Sequence, residues 1–219
     1  MNASELAQVV QATVRVLRDS TRIDDIIFVA DMLGRKRYGT IVTEFGHRQD
    51  MIRLLRERPE INHDTVDFEA LRALPPDTFG GAYARHLHAH DLDVATLKSS
   101  SFLTEPTEAY ISRRLRQSHD VWHALLGLGV EGHEEVLVHA FTLGQLRLPV
   151  SVAVVALGGI KHIVLERRWQ TLRHELLEAY RLGQDCGFLL AAVWEEQWGD
   201  SMEEVRQRYG IRPIGATLH

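Results

Sequence analysis

The stretch Ser118–Pro149, SHDVWHALLGLGVEGHEEVLVHAFTLGQLRLP, decides the fold. Apolar residues recur at helical spacing on both sides of a glycine-rich break, Gly127-Leu128-Gly129-Val130-Glu131-Gly132. Glycine is the residue that ends a helix and lets the chain reverse. The pattern therefore predicts two helices folded back on each other, one ending near Leu126 and one running from about Gly132 to Leu146, stopped before Pro149. At ~100° per residue on a helical wheel, His119, Asp120 and His123 share one face, with His123 turned ~40° and Asp120 ~100° from His119. Glu135, in the first turn of the second helix, is brought to the level of the histidines by the reversal. Two imidazoles and two carboxylates are an N2O2 donor set. Zinc accepts both ligand types in four-fold coordination, and manganese or iron tolerates the same atoms. Spacing alone is also met by a surface helix with two solvent-facing histidines, and leaves both readings open. His139, four residues after Glu135, faces the same way and reads as a neighbour of the site rather than a fifth ligand.

Outward from the hairpin the signal stays helical. Leu6, Val9, Val10, Val14 and Leu17 form an amphipathic stripe, with Asn2 or Ser4 as cap. Ile23, Ile26, Ile27, Ala30 and Leu33 form a second, ended by Gly34 and a basic turn, Arg35-Lys36-Arg37. A third helix is expected between Thr40 and Arg56. The segment from Pro59 to Asp77 reads as a connection closed by Pro75-Pro76, after which Thr78 caps a helix through Tyr83 and Leu87. Pro106 in a first turn opens the helix that carries Trp122. Leu148 to Ile160 is apolar on nearly every face, which describes a buried helix or the wall of a lipid tunnel. One helix or two follow between Ile163 and Phe188, and Ser201 with Glu204 has capping-box spacing for a last one. No repeat, low-complexity segment, linker or strand pattern interrupts this. The expectation is a single all-helical domain over residues 1–219, with the metal-site hairpin at 107–147.

Composition narrows the function. The 219 residues carry a net charge of -5, whereas nucleic-acid binding needs a cationic excess. A single cysteine, Cys186, permits no internal disulfide, as in a reducing compartment. No basic amino terminus leads into an apolar core as in a secretory signal, and the apolar run is shorter than the ~20 residues a bilayer requires. Neither a P-loop nor a Ser or Cys nucleophile motif is present. The literal G-x-G-x-x-G at Gly127–Gly132 follows a helix, not a strand, and carries no dinucleotide meaning. Arg113, Arg114 and Arg116, and Arg167-Arg168 later, read most simply as solvated cations, with one or two as candidates to hold an anionic substrate group.

His119-Asp120-x-x-His123, eleven residues and then Glu135 resemble the signature of the coenzyme Q (ubiquinone) biosynthesis protein four family. Also similar to it are LPPDTFGGAYARHL (Leu74–Leu87), EPTEAYISRRLRQSHDVWHALLGL (Glu105–Leu128), AFTLGQLRLP (Ala140–Pro149) and VWEEQWGDSMEEVRQRYGI (Val193–Ile211). Two positions depart from it: Glu134 stands where the family often has glycine, and His139 where another polar residue is expected.

The resemblance implies an all-helical fold with an apolar cavity for a polyprenyl chain. It implies a divalent metal, zinc in the usual account, on His119, Asp120, His123 and Glu135. It further implies a homodimer at a membrane surface, in contact with other quinone-biosynthesis enzymes. The activity implied is oxidative decarboxylation at ring carbon one of a polyprenylated hydroxybenzoate. The competing expectations are a lipid-binding scaffold with a structural metal and metal-dependent processing of another prenylated substrate. An HD-type phosphohydrolase fits less well, because it leaves Glu135 without a role. Lacking a mitochondrial targeting extension, the chain reads as a bacterial member in the cytoplasm, on the inner face of the membrane.

Overall fold

The computed structural model describes residues 2–19, 22–94, 102–166 and 169–215. The described residues form ten α-helices: α1 (Ala3–Arg18), α2 (Ile23–Phe45), α3 (Gln49–Glu57), α4 (Phe68–Ala73), α5 (Phe79–Ala89), α6 (Pro106–Leu126), α7 (Gly132–Leu146), α8 (Pro149–Glu166), α9 (Trp169–Asp185) and α10 (Met202–Tyr209). Two single-turn 3-10 segments, Leu189–Ala191 and Trp194–Glu196, precede α10. No strand occurs among the described residues beyond an isolated bridge between Thr78 and Ser201. The all-helical expectation holds.

Helix α6 is central. Pro106 occupies its first turn, where its missing donor costs nothing. Tyr110, Ile111, Val121, Trp122, Leu125 and Leu126 are buried in the core. Its end is closed by Gly127 at φ 68°, the left-handed conformation that glycine adopts without strain. Arg206 of α10 donates to the carbonyls of Leu125 (2.9 Å) and Ala124 (3.4 Å), placing a cation at the negative end of the helix. The segment before α10 is clamped to α6 by Arg114, a fully buried guanidinium that holds both oxygens of Glu195 (2.6 and 2.9 Å) and the Ala192 carbonyl. Trp194 donates from its indole nitrogen to Ser118, 3.2 Å away.

Helix α7 packs between α8 and α9. The approach to α9 is backbone on backbone: a side chain at Gly144 would strike the Tyr180 carbonyl, and one at Gly183 the Phe141 carbonyl. On the other side, Gly158 of α8 lies directly against Val136 of α7. Helix α5 packs on α6 from its own side, with Tyr83 stacked on Trp198 at 5.5 Å between centroids.

Several boundaries differ from the sequence expectation. Gly34 does not end a helix; α2 continues through it to Phe45. The Tyr38 ring lies over Gly34, while Arg37 pairs with Glu44 at 2.8 Å and donates to the Leu146 carbonyl at 2.6 Å. These contacts offset the ~1 kcal/mol that glycine costs inside a helix. The break falls instead at Gly46, between α2 and α3. Pro149 starts α8 rather than only stopping α7. In α1 the capping box between Asn2 and Glu5 forms, but Leu6, Val10, Val14 and Leu17 are exposed and the buried residues are Val9 and Ala12. Arg167 and Arg168 lie outside the described residues.

Candidate metal centre

The α6–α7 reversal brings the ligand atoms of His119, His123 and Glu135 within 4.8 Å of one another, the one such group among the described residues. Its geometry begins in the turn. Glu131 and Glu134 form a capping box at the start of α7, and Glu134 accepts from the backbone N–H of Gly129 (2.7 Å) and of Glu131 (3.0 Å). Glu134, the departure noted in the sequence, thus shapes the turn. The turn aims the Gly129 carbonyl at Nδ1 of His123, 2.6 Å away. A carbonyl only accepts, so Nδ1 carries the proton and Nε2 presents a lone pair.

The Nε2 atoms of His119 and His123 are 3.1 Å apart. Glu135 places Oε2 3.4 Å from His119 Nε2 and Oε1 3.5 Å from His123 Nε2. Two ligand atoms at about 2.0–2.1 Å from a tetrahedral zinc stand about 3.3–3.4 Å apart. The Glu135 carboxylate thus spans the two imidazoles, one oxygen toward each, at separations of the order found between ligands of one ion, and the donor set fits a divalent metal. The electrostatics agree. Burial works against a charge on His119, but the hydrogen bond and charge of Glu135, helped by Asp120, hold it above the ordinary imidazole value. Burial likewise opposes the Glu135 carboxylate, and the two histidines overcome it, holding Glu135 well below the usual range. The carboxylate and the two imidazoles therefore favour opposite charges on each other across a short distance.

Asp120 stands outside the group of three. Burial raises its carboxyl above the ordinary value, although His119 and His123 pull the other way. His139 lies beside the centre, its ring 5.4 Å from that of His119. Its Nδ1 is 3.2 Å from Ser151 Oγ on α8, and burial pushes it down to about 3, with the charge of His119 adding. His86 of α5 was not legible as a neighbour of the site. Its ring stacks on His123 at 5.7 Å, and its Nε2 is buried without a hydrogen-bond partner. Burial, then His123 and His90, lower it to about 4. Only the fold of α5 onto α6 brings it there, and nothing in its local sequence signals this. Of the arginines before the motif, Arg113 holds Glu60, Arg114 holds Glu195 and Arg116 holds Asp31.

Residues 1–215 match the family described as "Coenzyme Q (ubiquinone) biosynthesis protein Coq4". The chain belongs to the Coq4 family. Its Coq4 relatives include the mitochondrial COQ4 homolog of Drosophila virilis, 30% identical over 203 residues that cover 93% of this chain and 76% of that protein. The Xenopus tropicalis homolog is 29% identical over 202 residues, 92% of this chain and 71% of the other. A crystal structure from Nostoc punctiforme superimposes with a TM-score of 0.74 at 23% identity, covering 93% of this chain and 97% of that one, and so shares the fold. This Coq4 protein is a ubiquinone biosynthesis protein. Among its described residues no helix is long and apolar enough to cross a membrane.

Proposed function

We propose that this Coq4 protein is a metal-dependent oxidative decarboxylase that replaces the carboxyl at ring carbon one of a polyprenylated hydroxybenzoate by hydroxyl. The convergence of His119, His123 and Glu135 on one cation-sized point carries this reading. These residues, with Asp120 as the fourth ligand, would hold a divalent ion, for which their imidazole and carboxylate donors suit zinc. A bound zinc would supply Lewis-acid stabilisation of negative charge on a carboxylate or phenolate oxygen. The protein's own part is positional. His123, fully buried and tethered to Gly129, keeps one wall of the site dry, which strengthens every charge interaction inside it. Helix α8, packed on the ligand helix α7 and apolar through most of its length, is assigned to the prenyl tail. The exposed apolar residues Val152 and Leu157 of α8 and Leu6, Val10, Val14 and Leu17 of α1 support association with a membrane surface, a second copy and other quinone-biosynthesis enzymes.

The reaction balances with dioxygen as oxidant: the acid and half a dioxygen give the phenol and carbon dioxide. The carboxyl leaves as carbon dioxide and its bonding electrons stay with the ring carbon; that carbon takes one oxygen atom as the O–O bond breaks, the carboxyl proton passes to the new hydroxyl, and the second oxygen atom is consumed by a second molecule of acid. The test is incubation of zinc-loaded protein with 3-geranyl-4-hydroxybenzoate under isotopically labelled dioxygen, read by mass spectrometry. Loss of the carboxyl with gain of a labelled oxygen is expected. Recovery of unchanged acid from metal-loaded protein would leave a lipid-binding scaffold as the role of the chain.

A further inference from the structure

Two histidines of the α6–α7 hairpin have their Nδ1 atoms tied to oxygen, and the two oxygens differ in kind. His123 faces the Gly129 carbonyl, which only accepts, so its Nε2 is fixed as a lone pair. His139 faces the hydroxyl of Ser151, which can donate as readily as accept. When Ser151 donates to Nδ1, the proton of the neutral His139 ring moves to Nε2, which becomes a hydrogen-bond donor. One partner makes a metal ligand; the other permits a donor to something else.

Position separates the two as well. His139 lies on α7 one turn beyond Glu135, its ring 5.4 Å from His119, while the rings of His119 and His123 are 4.8 Å apart. It is outside the group whose atoms share a cation-sized point. At that distance the ring borders the centre without joining its ligand atoms. Ser151 is fully buried in the first turn of α8, so the orientation of His139 is set by two packed helices and not by solvent.

We propose that His139 is a ligand-binding residue: it donates a hydrogen bond from Nε2 to an anionic oxygen, carboxylate or phenolate, of the molecule held at the metal centre. This rests on the metal-dependent reading above. In this role Ser151 donates to Nδ1 and leaves the ring proton on Nε2. A lost hydrogen bond to a charged oxygen corresponds to about a 10- to 100-fold loss of affinity.

The test uses cobalt(II)-loaded full-length protein titrated with 3-geranyl-4-hydroxybenzoate and followed by the visible cobalt absorption. Wild type is compared with His139→Phe, or His139→Leu should the phenylalanine variant not fold, and with His139→Gln, whose amide can donate from the position of Nε2. Equal cobalt content in all proteins, a Kd raised about 10- to 100-fold in the apolar variant and substantial recovery in His139→Gln are expected. Equal Kd values in all three would overturn the role of His139 alone. Loss of cobalt from the apolar variant would make His139 a metal ligand and overturn the role too. A wild-type protein that holds cobalt yet ignores the probe would overturn the functional reading and this inference with it.

Discussion

His123 Nδ1 lies 2.6 Å from the carbonyl oxygen of Gly129, across the turn that ends its own helix. The turn that reverses the chain is therefore also what orients the histidine. A β-carbon at Gly129 would meet the Glu134 carboxylate at 2.6 Å, the group that holds the turn closed. Gly129→Val is expected to displace Glu134, shift the carbonyl and weaken zinc affinity about 10- to 100-fold, the usual cost of losing a partner behind a metal ligand. Competition with a chromogenic chelator measures it, and unchanged affinity would mean that the turn does not orient His123.

Gly144 and Gly183 allow α7 and α9 to touch through their backbones. Replacing an interior helical glycine by alanine normally stabilises by up to ~1 kcal/mol. Here the added methyl meets a carbonyl, and the sign reverses. Gly144→Ala is expected to cost about 1–3 kcal/mol as overpacking in urea unfolding; a stabilised variant would contradict the close approach.

Arg114 is fully buried and Glu195 neutralises it. Removing the carboxylate strands a charge in the core, which costs about 3–5 kcal/mol. Glu195→Ala should therefore lower the unfolding midpoint sharply. The double variant Arg114→Met with Glu195→Ala should recover much of the loss, because a buried pair is often replaceable by apolar packing. A double variant as weak as the single one would contradict this account of the clamp.

His86 is held neutral, at about 4 in the folded protein against 6.5 for a free imidazole. Between these values the unfolded chain binds the proton and the folded one does not, so stability rises with pH. In metal-free protein this contribution is fully present above about pH 6.5 and declines as pH falls toward about 4. Replacing the ring by His86→Phe should flatten the dependence of unfolding free energy on pH in that window. An equally steep profile in the variant would place the linkage elsewhere.

Much of the hairpin was legible in sequence because its signals are local: Pro106, Gly127 and the periodicity between them set α6 at Pro106–Leu126 and α7 at Gly132–Leu146. Local signals failed where tertiary contacts overrode them. Gly34 reads as a stop, but Tyr38 packs on it and α2 runs through. The α1 stripe reads as the apolar side of an amphipathic helix, yet α1 packs mainly on α2, and Leu6, Val10, Val14 and Leu17 stay outside. His119, His123 and Glu135 were recoverable because helical spacing plus one reversal fixes their relative positions. His86 and Ser151 reach the site only through the packing of α5 and α8, which no spacing within the motif encodes.

The most direct measurement is the zinc content of the purified protein by elemental analysis, for wild type and Glu135→Gln, with far-UV circular dichroism to show that both are folded. The account predicts about one zinc per chain in wild type and nearly none in the variant, with His123→Ala behaving alike. Equal zinc in the wild-type and variant proteins would contradict a metal centre built on His119, His123 and Glu135.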